Sequence, residues 1–185
     1  MIKNILSLCL ISLGLVAAGC TGKTDTPGAG DILAVSRTTP VVDGKINNAE
    51  YPVMINLSKL KVSFSRSATK LWFAVQSEAM GWVALGFGTS RMNNASMVMG
   101  YVKGDSSSVI ELKGAGHGHN RQEPGLLLKS ALAEDSNGTI FEGEIDAGRI
   151  ISPDQAVLEF IVACGDDDDF AGYHSYRKGG AVKLK

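Results

Sequence analysis

The chain has 185 residues, with 18 Lys and Arg against 19 Asp and Glu, a formal charge of −1, and only 6% aromatic residues. Near-neutrality and the scarcity of rings leave neither a polyanion-binding total charge nor rows of stacking platforms, so nucleic acid is not an expected partner. With 44% apolar and 20% charged residues, the composition fits one globular domain and excludes a disordered chain, a collagen-like repeat or a charged coiled coil; the length excludes a large two-domain enzyme.

Taken in chain order, Lys3 precedes the apolar run 5–18, which ends at Gly19-Cys20. A basic start, a short apolar stretch and small residues at its end have the form of a secretory signal, too short for the roughly 20 residues of a spanning helix. Val16-Ala-Ala-Gly-Cys20 resembles a bacterial lipobox, which implies lipidation at Cys20 after removal of residues 1–19. Ordinary signal cleavage nearby is the other reading. Residues 20–30 are polar and Gly-rich, as suits a flexible tether. Thr21 after the Cys, where an Asp tends to retain bacterial lipoproteins at the inner membrane, is compatible with an outer-membrane location. The expectation is an exported domain held to the membrane by its N-terminal lipid alone, facing the periplasm or the cell surface. Cys9 would leave with the signal and Cys20 would carry lipid, so Cys164, set in an apolar run, is expected to be a lone buried thiol.

Residues 31–185 read as strands. Apolar or alternating runs at 32–37, 53–57, 59–65, 70–77, 82–87, 96–102, 108–112, 125–131, 139–145, 157–163 and 181–184 are separated by Gly, Asn, Asp and Ser. Leu60, Val62 and Phe64 alternate with Lys59, Lys61 and Ser63, the period of a half-buried strand. Residues 126–134 suit either a short helix or a strand. About ten short strands at this spacing predict an all-β, immunoglobulin-like antiparallel β-sandwich.

Chemistry-bearing residues are few. There is no Gly-x-Ser-x-Gly elbow, phosphate loop or HExxH pair, and hydrolytic chemistry has no support, so no catalytic residue is assigned and an enzyme is not expected. Three stretches stand out. After the strand 82–87 a polar loop carries Met92 between Arg91 and Asn93, outside any apolar pattern, where a thioether has little structural use but suits haem iron as a soft ligand. Met97 and Met99 share one strand face, where core packing is expected. His174 lies in 171–180 among Tyr173, Tyr176, Arg177 and Lys178, either completing a site or sitting in a solvated hairpin loop. His117 and His119, in a Gly-rich stretch, would point the same way if extended, but two imidazoles alone make an incomplete Cu or Zn site. The acidic run 166–169 is read as a solvated loop rather than a calcium site.

The string Gly81-Trp-Val-Ala-Leu-Gly-Phe-Gly88 followed by Met92 to Tyr101, with the ending Ala163-Cys-Gly165, Tyr173-His174 and Arg177-Lys-Gly179, resembles the DOMON domain family. Val42 to Tyr51 is similar to the entry turn shared by that family and related carbohydrate-binding modules. The resemblance implies a sandwich of ten or eleven strands holding haem b in a pocket at one end. By position it implies Met92 and His174 as iron ligands, with His117, His119 and Lys178 as rivals. It also implies Trp82, Phe87, Tyr101, Tyr173 and Arg177 around the cofactor, and Arg91, Arg177 or Lys178 near its propionates. The function implied is one-electron transfer to an unidentified redox partner. The alternative is a module binding carbohydrate or another small ligand without haem, with Trp72 and Trp82 as sugar platforms.

Overall fold

The computed structural model describes residues 31–47 and 49–185; the signal, the tether and the lipidation site at Cys20 lie outside the described residues. Among the described residues twelve strands form two sheets. In chain order they are β1 (Ile32–Leu33), β2 (Val53–Asn56), β3 (Leu60–Arg66), β4 (Lys70–Ser77), β5 (Val83–Phe87) and β6 (Ser96–Lys103). Then come β7 (Ser106–Ala115), β8 (Gly118–Arg121), β9 (Leu127–Asp135), β10 (Gly138–Asp146), β11 (Val157–Cys164) and β12 (Tyr176–Leu184). One sheet has the order β1-β12-β11-β5-β6-β7-β8, the other β2-β3-β4-β10-β9. Every pairing is antiparallel except that of β1 with β12. The stretch 126–134 is strand from Leu127 onward, and a single 3₁₀ turn at Ala147–Arg149 is the helical content among the described residues.

The core follows from alternation. Phe64 and Phe73 of the smaller sheet meet Phe160 and Phe87 of the larger one edge-on, at 5.3 and 6.0 Å between ring centres. Such pairs add roughly 0.5–1.5 kcal/mol each beyond area burial. The outward face of each sheet is also covered. Over the smaller sheet lies the segment 42–51: Val42 and Tyr51 pack on Trp72 and Ala74. Its latch is Glu142, fully buried, whose carboxylate accepts the Tyr51 hydroxyl at 2.7 Å and the backbone N–H groups of Asp43, Gly44 and Lys45 at 3.2, 2.8 and 3.1 Å. Burial pushes the Glu142 carboxyl up from its ordinary range against the pull of these donors. Burial, and next the Glu142 carboxylate, hold the Tyr51 hydroxyl far above the usual tyrosine range.

Cys164 is a free, buried thiol.

A candidate pocket on the outer face of the larger sheet

The strand registers build the site's floor. On the outward face of the larger sheet one row runs Gly179, Ile161, Gly86, Met97, Leu112 and Arg121 across β12, β11, β5, β6, β7 and β8. The next row runs Arg177, Ala163, Ala84, Met99 and Ile110. Val83, Leu85 and Phe87 point the other way, into the sandwich. The small residues Ala84, Gly86 and Ala163 keep the middle of this face low, and a Cβ on Gly86 would come within 2.6 Å of Met97 and 2.9 Å of Ile161. Met97 and Met99 do share a face and are buried, but that face is this floor and not the sandwich core.

Three segments wall the floor. The first is the loop between β5 and β6, which carries Met92. It lies flat because two glycines lack side chains beneath it: a Cβ on Gly114 would fall on the Met92 carbonyl, and one on Gly179 on the Ser90 carbonyl. Asn94 N–H donates to the Gly114 carbonyl at 3.1 Å, Gly114 N–H to Ala95 at 2.9 Å, and Gly116 N–H to the Asn93 side chain at 2.8 Å. The second wall is the β7–β8 hairpin, whose two-residue turn places Gly116 at φ +61°, as a tight hairpin favours, and His117 beside it. His119 stands opposite Gly114.

The third wall is the loop 165–175, which carries His174. Its acidic residues shape it. The Asp169 side chain accepts the N–H groups of Ala171 and Gly172 at 2.7 Å each, that of Asp166 accepts the Ser175 hydroxyl at 3.1 Å, and the Asp167 backbone carbonyl accepts the Trp82 backbone N–H at 3.2 Å. Ser175 N–H closes the loop onto the Cys164 carbonyl at 2.9 Å. Trp82 is seated against Gly165 and Gly172, and its indole N–H is buried without a partner.

The result is a largely apolar pocket of about 270 Å³, near the lower end of the roughly 300–1,000 Å³ of small-molecule sites. Met92, His174, Trp82, Tyr173 and Arg177 all line it, together with His117 and His119. Met92 and His174 are half-buried, and Tyr173, 85% exposed, stands at the mouth with its ring edge-on to His174 at 4.4 Å. Two expected residues do not line it. Phe87 is 1% exposed and packs on Phe73 in the sandwich core, because its place in β5 gives it the inward parity of Val83 and Leu85. Tyr101 packs on Phe170, 4.7 Å between ring centres, at the margin of the apolar floor. The pocket also lies on an outward sheet face rather than at the end of the sandwich.

The donors lining this pocket are the three thioethers of Met92, Met97 and Met99 and three imidazoles, with no carboxylate or thiolate. Among the described residues no three His, Cys, Asp or Glu side chains gather around one point, so a bare Cu or Zn ion lacks a cage. Donors spread over the walls of an apolar slot fit a broad, flat ligand that carries its own metal, as haem does. The sugar platforms fare worse. Trp72 is buried under 42–51 and its indole N–H donates to Glu144 at 3.2 Å, while Trp82 is 5% exposed, so neither offers a face to solvent.

No family model and no curated protein sequence matches the chain. Among solved structures, it is similar to a family 9 carbohydrate-binding module from Caldicellulosiruptor kristjanssonii in complex with cellotriose (TM-score 0.49, 10% identity, 84% of this chain and 94% of that one). It is also similar to the cytochrome b domain of pyranose dehydrogenase from Coprinopsis cinerea (0.49, 13%, 67% and 76%). A third is the cytochrome domain of Myriococcum thermophilum cellobiose dehydrogenase (0.47, 11%, 71% and 83%).

Proposed function

We propose that this protein is a haem-binding electron-transfer domain, exported and tethered to the membrane through lipid on Cys20, with Met92 and His174 as the iron ligands. One observation carries the reading: the Met92 thioether and the His174 imidazole, far apart in sequence, line one largely apolar pocket. When bound, haem supplies a one-electron couple at its iron.

The chain's own residues do the rest. With no CxxCH sequence, ligation and apolar burial must do the holding. Met97, Met99, Leu112 and Ile161 exclude water from the slot's floor. A neutral thioether paired with a neutral imidazole favours the ferrous state more than two harder donors would, raising the potential. Were Met92 and His174 both to hold the iron, the group would supply electron transfer rather than oxygen activation. The Met92 loop and the His174 loop are fixed by backbone bonds to β7 and to β11, so both donors are held on their own supports before any ligand arrives.

The test is an absorption spectrum of the purified protein supplied with haem, oxidised and then reduced with dithionite. A Soret band with sharp α and β bands on reduction is expected, and Met92→Ala and His174→Ala should each abolish the low-spin form. A protein that stays colourless, or variants with unchanged spectra, would overturn the assignment.

A further inference from the structure

The chain enters the described domain at Asp31, at one end of the sandwich. β3, β10 and β12 finish at that end, and β4 and β11 start there. Cys20 stands eleven residues before Asp31, so a lipid on it would hold Asp31 within roughly 40 Å of the bilayer even with the chain between them fully extended. This end of the domain is the one that the anchor brings to the membrane.

Its surface is apolar and cationic together. Ile32, Lys183 and Val157 are register partners across β1, β12 and β11, and they face outward because Leu33, Val182 and Leu158 beside them fill the core. Ile32 and Val157 are both exposed. Next to this row opens a hollow of about 710 Å³ whose walls include Val35, itself exposed, with Arg66, Leu184 and Lys185, and no Asp or Glu lines it. Arg66 gives one N–H to the Lys185 carbonyl at 2.6 Å, and its Nε has no partner. The loops and strand ends around the hollow hold five cations, Arg37, Arg66, Arg149, Lys183 and Lys185, against three acids, Asp31, Asp146 and Asp154. Residues 31–185 as a whole have 16 Lys and Arg against 18 Asp and Glu, so positive charge is concentrated where the chain enters.

We infer that this end is a membrane-contact surface: Ile32, Val35 and Val157 enter the interface of an anionic phospholipid bilayer, and Arg66, Lys183 and Lys185 meet its phosphates. The inference rests on the reading of Cys20 as the lipid site and adds to it a contact made by the folded domain. Binding of this kind grows with the apolar area buried in the interface and with attraction to anionic lipid, each Lys or Arg at the surface strengthening it about fivefold. Arg177 of the pocket stands six residues along β12 from Lys183, roughly 20 Å, so the contact leaves the pocket clear of the headgroups.

The test uses the mature chain, residues 20–185, carrying Cys20→Ser so that no lipid can be attached. Co-sedimentation at low salt compares vesicles of phosphatidylglycerol mixed with phosphatidylcholine against phosphatidylcholine alone. Lys183→Gln/Lys185→Gln removes charge from the contact, and Ile32→Thr/Val35→Thr/Val157→Thr removes its apolar part. Lys59→Gln/Lys61→Gln removes the same charge from the opposite end, at the start of β3; all seven positions are exposed, and circular dichroism checks each fold. The expected result is at least roughly tenfold stronger binding to the anionic vesicles, a loss of about tenfold in each contact variant, and less than about threefold in the control. A chain that ignores the anionic vesicles, or a control that loses as much as the contact variants, would overturn the surface. Mass spectrometry of the protein from cells reads the acyl group on Cys20 separately. An acylated protein whose Cys20→Ser form does not bind removes the contact and leaves the anchor; binding without any acyl group removes the anchor and leaves the contact.

Discussion

Replacing Gly114 by alanine isolates the support of the Met92 loop. In most strands this change is neutral or stabilises by about 0.4–1 kcal/mol, because alanine narrows the unfolded ensemble. Here the sign reverses. The new Cβ would fall on the Met92 carbonyl oxygen and lie 2.7 Å from the Met92 carbonyl carbon, with Ala95 N at 3.3 Å, all of them backbone atoms that cannot swing aside. The loop must lift, and the two backbone hydrogen bonds joining Gly114 to Asn94 and Ala95 go with it. At roughly 0.5–1.5 kcal/mol each, their loss amounts to about 1–3 kcal/mol, or a Tm lowered by roughly 3–10 °C in a domain of this size. Gly118→Ala on the same hairpin is the control, since the nearest atom to its Cβ is the Ala115 carbonyl oxygen at 3.9 Å. Urea denaturation of both variants gives the stability difference, and the spectrum of the haem-supplied protein reports on the proposed ligation by Met92. A Gly114→Ala protein as stable as wild type, with its low-spin spectrum intact, would refute the argument that this glycine seats the loop.

Two further outcomes follow from the latch and the lone thiol. Tyr51→Phe should lose about 1.5–3 kcal/mol, the range for a hydrogen bond to a charged group. Because the folded hydroxyl is held above its unfolded value of about 10, its stabilising contribution is complete below that pH and is lost as pH rises past it. Alkaline denaturation curves should therefore fall more steeply for wild type than for Tyr51→Phe, and equal slopes would show that the latch does not act. Cys164, 1% exposed behind Ser175, should resist maleimide until urea unfolds the domain, as read by peptide mass mapping; rapid labelling in buffer would contradict its burial.

Much of this architecture is legible in the sequence where one face of a strand is wet. Leu60, Val62 and Phe64 against Lys59 and Lys61 announce β3 because alternation mirrors the pleat. The stretch 82–87 is apolar on both faces, so pattern alone cannot say which parity faces the core. The resemblance puts Phe87 with Trp82 at the cofactor, and the two part company at the sheet. β8 carries Gly118, His119, Asn120 and Arg121, all exposed, and is a strand only through its ladder with β7. The early start of β12 was hidden by Gly179 and Gly180, which read as loop. Their role is close approach, since a Cβ on Gly180 would enter the ring of Phe160. In the site itself, Met92 and His174 are visible as residues out of pattern. The floor of Ala84, Gly86, Ile161 and Ala163 is not, because small and apolar residues look alike whether they face a core or a pocket; their alternation about Val83, Leu85, Phe160 and Val162 was the available signal.

The pocket and the phenylalanine core lie on opposite sides of a single sheet and share almost no side chains. The phenylalanine core is thus packed almost wholly by side chains other than those that line the slot. The same separation lets substitutions accumulate around the slot, changing what it accepts or closing it altogether, while the sandwich beneath goes on standing.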